Sequence, residues 1–232
     1  MQPGTPRERA RAQTIADIIS IGREHLATDG AAALSLRAVA RDLGVVSSAV
    51  YRYVASRDEL LTLLVVDAYN ELGDAVDDAV AHAPAEDPGA GFLAAAHAVR
   101  AWAVDQPARY GLIYGTPVPG YNAPGDITTP AGTRVIAVLL RLIERGVAAG
   151  VVDPSPAAPI PRVLRADFKA IRANAPTSLP DGALGRAFLA WTALFGAVSF
   201  EVFGQFGADT FSDPALIFDH QMRLIVGALL AA

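Results

Sequence analysis

Ser47, Ser48, Tyr51 and Arg52 are spaced to share one side of a short helix, with Val50 and Val54 on the other. Small hydroxyls admit a close neighbour, and an arginine can donate two hydrogen bonds to a guanine edge or grip a phosphate. Arg57 follows in the first turn of a further helix, where free backbone N–H groups and the positive end of the helix dipole already favour a phosphate. The chemistry open to this set is hydrogen bonding to a polyanion and to base edges.

A short helix needs a brace to present such residues. Ser35 caps a preceding helix that places Leu36, Val39, Ala40 and Leu43 at the i, i+3, i+4, i+7 spacing until Gly44 ends it. After Gly44-Val45 the second helix opens on Ser47 or Ser48 and runs to about Val54, with Ala49, Val50, Tyr53 and Val54 available for packing. Two short helices joined by a glycine-containing turn let the second enter a major groove while the first braces it. The same spacing fits an ordinary helical hairpin, and spacing by itself leaves both readings open.

The rest of the chain also reads as helix, with no sustained period-2 alternation, so the fold class is all-α. A first helix spans about 9–28, with Ile15, Ile18, Ile19, Gly22 and Leu26 on one face, and stops at Asp29-Gly30. Residues 56–59 form an S-x-x-E capping box that opens a long helix to about residue 81. Beyond the break at 84–91 comes a helix carrying Phe92, Ala96, Val99, Trp102 and Ala103, and Pro107 starts a short one to about Tyr114. Residues 116–130 contain four prolines and are predicted to be loop. Further helices are predicted over 130–149, 162–173, 181–206 and 214–230, the last with Asp213 as cap. Residues 1–57 are then an N-terminal three-helix domain with the helix-turn-helix, and 58–232 a larger helical domain, connected by the helix from about 57 to 81.

Composition narrows the class of function. With 52% hydrophobic and 19% charged residues the chain can bury a core, and the absence of cysteine removes disulfides, thiolate zinc sites and cysteine nucleophiles. Residues 1–57 carry eight arginines against five carboxylates, a net +3, while the remainder carries −8. A basic end on an acidic body suggests that the N-terminal end meets a polyanion, although the same charges suit a solvated face. His25, His82, His97 and His220 are scattered, and no metalloprotease, nucleophile-elbow, phosphate-loop or dinucleotide pattern is found, so neither an enzyme nor a cofactor is expected. The start MQPGTPRERARAQT has no apolar signal region, and the longest uncharged apolar stretch, 187–200, falls short of the roughly 20 residues that span a bilayer. A soluble, cytoplasmic protein without a membrane partner is expected.

The run SLRAVARDLGVVSSAVYRYVASRDELL resembles the DNA-binding region of the tetracycline-repressor (TetR) family of bacterial transcription regulators. Its pattern is Ser or Thr opening helix two, A-x-x-x-G-V at the turn, Y-x-x-F on helix three, then Lys and acidic residues before Leu. Ser35, Ala40, Gly44, Val45, Tyr51, Arg57, Asp58, Glu59 and Leu60 match or nearly match. Val54 replaces the usual phenylalanine, Tyr53 a common histidine and Arg57 the usual lysine. The resemblance implies that Ser35, Tyr51, Tyr53 and Arg57 hold the DNA backbone while Arg37, Ser47, Ser48 and Arg52 read bases.

The resemblance also implies that the larger domain dimerises and binds a small effector, and the segment AWAVDQPARYGLIYGTPVPGY is similar to a C-terminal domain of some of these regulators. The last two helices offer Phe188, Trp191, Phe195, Val198, Val202, Leu224, Ile225, Ala228 and Leu229, more apolar surface than one terminal hairpin buries, which suits a homodimer. His97, Trp102, Tyr110, Tyr114 and Trp191, which pair an apolar body with a polar tip, and Phe168 and Phe195 are the residues put forward for an effector pocket, each open also to a plain core role. The resulting expectation is a repressor released from a palindromic double-stranded DNA operator by a small apolar or aromatic effector. The alternatives are a helical protein-interaction module without DNA binding and a small-molecule enzyme.

Overall fold

A computed structural model describes residues 5–230, whose regular elements are all helices, with no strand among them, as the periodicities predict. The helices are α1 (Pro6–Asp29), α2 (Leu36–Asp42), α3 (Ser47–Val50), α4 (Arg57–Ala81), α5 (Pro88–Asp105), α6 (Pro107–Tyr114), α7 (Gly125–Gly132), α8 (Arg134–Ala148), α9 (Arg162–Asn174), α10 (Asp181–Val202) and α11 (Pro214–Leu230), with a single 3₁₀ turn at Ala31–Ala33. Packing divides them into two compact units. The first takes the chain up to Glu71 together with Gln106–Gly132, and the second takes Leu72–Asp105 and the chain from Thr133 onward.

In the first unit α1 starts three residues before the periodicity suggests. Thr5 Oγ1 accepts from the Glu8 backbone, the Glu8 carboxylate accepts from the Thr5 N–H at 2.7 Å, and Pro6 occupies the first turn, where its missing N–H costs nothing. Ile18, Leu26, Leu34, Leu36, Val39, Ala40, Val50, Val54, Leu60, Leu61 and Leu64 make one buried cluster. Ala108, Leu112, Val118 and Tyr121, from α6 and the segment after it, pack against this cluster, and α6 lies on α1. The first unit therefore extends beyond residue 57 and closes with residues remote in sequence.

Charge ties the same elements together. Arg109 on α6 is only 5% exposed; it donates to Glu71 at 2.6 Å and to Asp67 at 3.0 Å, and Arg23 on α1 chelates Asp67 at 2.5 and 2.7 Å. Hydrogen bonding to Asp67 holds the Arg23 guanidinium above its ordinary pKa against the cost of burial. Tyr69, Tyr110 and Tyr114 form an aromatic group with ring centroids 5.9 and 5.3 Å apart.

Burial pushes the Tyr114 hydroxyl well above the usual tyrosine range, aided by Tyr69 and Tyr110. The folded state thus favours the neutral phenol. That contribution is fully present below the unfolded value of about 10 and is lost as pH rises beyond it. The melting temperature is expected to fall above this pH in the wild type and to fall less in Tyr114→Phe; parallel pH profiles would contradict the assignment.

Residues 125–132 are helical, contrary to the proline argument for an unbroken loop over 116–130. Pro124 stands just outside α7, and its carbonyl accepts from the Ile127 and Thr128 N–H groups and the Thr128 hydroxyl. Pro130 removes a single N–H from within the helix, and the break comes later, at Thr133, where α8 begins.

In the second unit α5, α8, α10 and α11 pack on one another and α9 lies against α10. Phe92, Ala96, Val99, Trp102 and Ala103 are all buried on α5, and Val135, Val138, Leu139, Leu142 and Ile143 on α8. Arg100 joins α5 to Glu201 of α10 at 2.5 and 2.7 Å. Gly182 lets the start of α10 nest against the backbone of 154–156, because a Cβ there would lie 2.4 Å from Pro156 N. α10 ends at Val202 rather than near 206, where Gly204 turns into the left-handed region at φ 65°. At 22 residues it is long and apolar enough to cross a membrane, so the shortness of 187–200 does not carry the expectation drawn from it. Its charges are nevertheless paired within the unit, Asp181 with Arg172 and Glu201 with Arg100.

Candidate nucleic-acid interface

The helix-turn-helix is built as its spacing predicts, with differences at the second helix. Leu36, Val39 and Ala40 bury one side of α2. Gly44 then takes φ 70°, a conformation open to glycine at little cost, and reverses the chain. The α-helical part of α3 is only Ser47–Val50; Tyr51–Tyr53 continue as a turn in which the Tyr53 and Val54 N–H groups both reach the Val50 carbonyl. Val46, not Ser47 or Ser48, occupies the position before the first helical residue, and no side chain caps the helix.

This geometry gathers the residues selected by type. Val50 and Val54 are fully buried, while Ser48, Tyr51 and Arg52 are exposed and Ser47 and Tyr53 half-buried, so the polar side of α3 faces outward. Arg37 is exposed on α2 and Ser35 precedes it, half-buried, with no cap hydrogen bond from its side chain. Arg11 of α1 stacks its guanidinium over the Tyr53 ring at 5.4 Å, adding a cation that spacing within the motif does not reveal. His25 bonds Asp42 at 2.6 Å and ties α1 to the end of α2; this hydrogen bond, with another from Arg41, holds the Asp42 carboxyl below the usual carboxylate range.

Arg57 is engaged inward. Its Nη2 donates to the Ala31 and Ala32 carbonyls at 2.9 and 3.2 Å, at the 3₁₀ turn between α1 and α2. The capping box at the start of α4 is shifted by one residue. Ser56 Oγ accepts from the Glu59 N–H at 3.1 Å as expected, but the Glu59 carboxylate takes the Ala55 N–H at 2.6 Å.

The residues put forward for an effector pocket are divided between the two units. Tyr110 and Tyr114 belong to the first unit, Tyr110 fully buried. His97, Trp102, Phe168, Trp191 and Phe195 belong to the second. There His97 is exposed and bonds Asp219 at 3.0 Å, and Trp102 is 7% exposed among core side chains. Phe168, Phe188, Trp191 and Phe195 form a run of rings about 6 Å apart along α9 and α10, and Phe168 lines an apolar hollow of about 270 Å³ with Leu164, Pro161 and Leu189. Of the residues expected at a dimer face, Phe195, Val198 and Leu229 are buried within the chain whereas Leu224 and Ala228 are exposed. Exposed Phe200 and Leu224 border a hollow of about 420 Å³ with the small residues Ala193, Gly196 and Ala197. Leu189 and Phe200 of α10 and Leu216 and Leu224 of α11 are outward apolar residues that periodicity does not separate from core.

The tetR family model of bacterial regulatory proteins matches residues 18–64, which include α2, α3 and Arg57, and a model described as tetracyclin repressor-like, C-terminal domain, matches residues 92–225. The HTH-type transcriptional regulators Rv1816 of Mycobacterium tuberculosis and Mb1846 of Mycobacterium bovis are each 49% identical over 223 residues, covering 96% of this chain and 95% of theirs. Among solved structures, the regulatory protein SCO4313 is similar at 40% identity and a TM-score of 0.78, over 96% of this chain and all of that one.

Proposed function

The chain belongs to the tetR family of bacterial regulatory proteins and is a DNA-binding transcription regulator rather than an enzyme, and we propose that α3 and the turn after it are the part that enters the major groove. Arg37, Ser47, Ser48 and Arg52 read base edges, and Ser35, Tyr51 and Tyr53 hold phosphates. Arg57 braces the 3₁₀ turn through Ala31 and Ala32 and offers its other N–H groups to the backbone. The observation that carries this reading is the outward polar side of α3, supported from behind by the buried Val50 and Val54. Base contacts specify and phosphate contacts position, so the two sets separate experimentally.

The test is fluorescence anisotropy with duplexes selected from a random library by the wild-type protein, read at two salt concentrations. Affinity is expected to fall steeply with salt as counterions are released. Arg52→Ala is expected to change the preferred sequence, and Arg57→Ala to weaken all sequences alike. If the two variants shift preference equally, the division of roles is wrong; if no duplex is selected, the groove assignment fails and a helical interaction module is favoured.

The protein acts in the cytoplasm as a homodimer through α10 and α11 on a palindromic operator, an arrangement supported by exposed Phe200 and Leu224 beside the small residues of α10. It is a repressor released by a small apolar or aromatic effector. The second unit takes that effector, and the aromatic run through Phe168, Trp191 and Phe195 supports an apolar one. Release follows where the effector prefers a form whose two reading heads are wrongly spaced, since a ligand shifts an equilibrium only by its differential affinity.

A further inference from the structure

We infer that Val46 is a specificity-determining residue whose side chain packs against the 5-methyl group of a thymine in the major groove. The inference rests on the proposal that α3 enters that groove. Val46 occupies the cap position of α3 in an extended conformation, φ −69° and ψ 143°, and makes no side-chain cap. Serine, threonine, aspartate and asparagine are favoured there because their oxygen accepts a free N–H of the first turn, and valine is among the poorest choices. Burial gives no compensation, since Val46 is 71% exposed. A lone exposed apolar residue is ordinary on a protein surface. What sets this one apart is that it forgoes a cap and packing together, at the tip of the motif that meets DNA.

Its neighbour shows the contrast. Val45 is also exposed, but less so, at 44%, and it borders a hollow of about 350 Å³ with Leu43, Ala49, Val50, Thr14 and Asp17 of the first unit. Val46 is followed at once by Ser47 and Ser48, whose small side chains let the backbone approach a groove floor. The first residues of a recognition helix are those that reach base edges. Thymine presents an apolar group there, its 5-methyl, and apolar side chains recognise it by contact. Departures from local rules with no gain in the free protein are expected at functional sites.

The experiment replaces each thymine of a selected duplex, one at a time, with deoxyuridine, which removes only the methyl group. Wild-type protein is expected to bind about fourfold more weakly when the contacted thymine of one half-site is so replaced, and about fifteenfold more weakly when its counterpart in the other half-site is replaced too, the effects of losing one and two buried methyl contacts. Val46→Ala should bind the thymine and deoxyuridine duplexes equally. Val46→Ser should also lose the distinction while melting at a higher temperature than wild type, because serine restores the cap; this shows that the loss is not one of folding. The inference is overturned if no deoxyuridine weakens the wild type, or if the same replacement weakens wild type and Val46→Ala alike. Arg52→Ala in the same selection keeps the two failures apart. If it returns the wild-type sequence preference, the placement of α3 has failed; if it shifts preference while Val46→Ala keeps its sensitivity to the methyl group, the role of Val46 alone has failed.

Discussion

Arg109→Met is expected to destabilise the DNA-binding unit by about 3 kcal/mol, toward the low end of what loss of one partner from a buried ion pair costs. The guanidinium is nearly inaccessible and serves both Asp67 and Glu71, so its removal leaves two carboxylates on α4 close together. Asp67 keeps Arg23 as a partner, which limits the loss, and Glu71 is exposed enough to be hydrated. In a unit of this size the change corresponds to a fall of roughly 10–20 °C in melting temperature. Urea unfolding followed by circular dichroism would measure it, and anisotropy at 37 °C should show DNA binding lost in proportion to the unfolded fraction. Adding Glu71→Gln should recover part of the loss by removing one of the orphaned charges. If Arg109→Met unfolds at the wild-type midpoint, the Arg109 pairs are not structural.

Trp102→Ala is expected to cost about 3–5 kcal/mol through the cavity left by a large buried ring. Trp102 lies on the inner side of α5 among Phe92, Ala96, Val99 and Ala103, in the unit where α5 packs on α8, α10 and α11. Trp102→Phe should cost much less, because it keeps most of the volume. His97→Ala, five residues earlier, removes an exposed hydrogen bond to Asp219 and should change stability by less than about 1 kcal/mol. The comparison tests burial directly in a thermal-shift assay: equal effects of Trp102→Ala and His97→Ala would deny Trp102 its place in the core.

These two residues show what sequence reasoning can and cannot separate. Both were selected for an effector pocket because each joins an apolar body to a polar tip, a property of residue type that is blind to which neighbour a helix face meets. Helix starts and stops were legible where local chemistry decides them, at Gly30, Gly44 and Pro107, and at Asp213, whose carboxylate accepts from the Ala215 N–H. Boundaries failed where backbone geometry or tertiary context overrode type. Two serines invited the cap of α3 onto Ser47 or Ser48, but the chain placed Val46 there. Four prolines argued for loop over 116–130, yet Pro124 fell outside α7 and Pro130 cost it little. In the interface, the outward set on α3 was readable from spacing because a short helix offers few alternatives. Arg57 was assigned from its position at the start of α4, and no pattern in the sequence announces the Ala31 and Ala32 carbonyls that its side chain meets.

The return of residues 106–132 to the first unit carries a consequence for synthesis and for protein engineering. On the ribosome, α1 to the middle of α4 emerge first, but Ala108, Leu112, Val118, Tyr121 and Arg109 emerge only after residues 72–105 have been made. Until then Asp67 and Glu71 wait without Arg109, and the apolar cluster lacks part of its cover. Residues 1–71 are therefore not a module to be cut out and grafted onto another regulator. A transplant that keeps the binding specificity of this head must carry α6 and the segment to Gly132 with it.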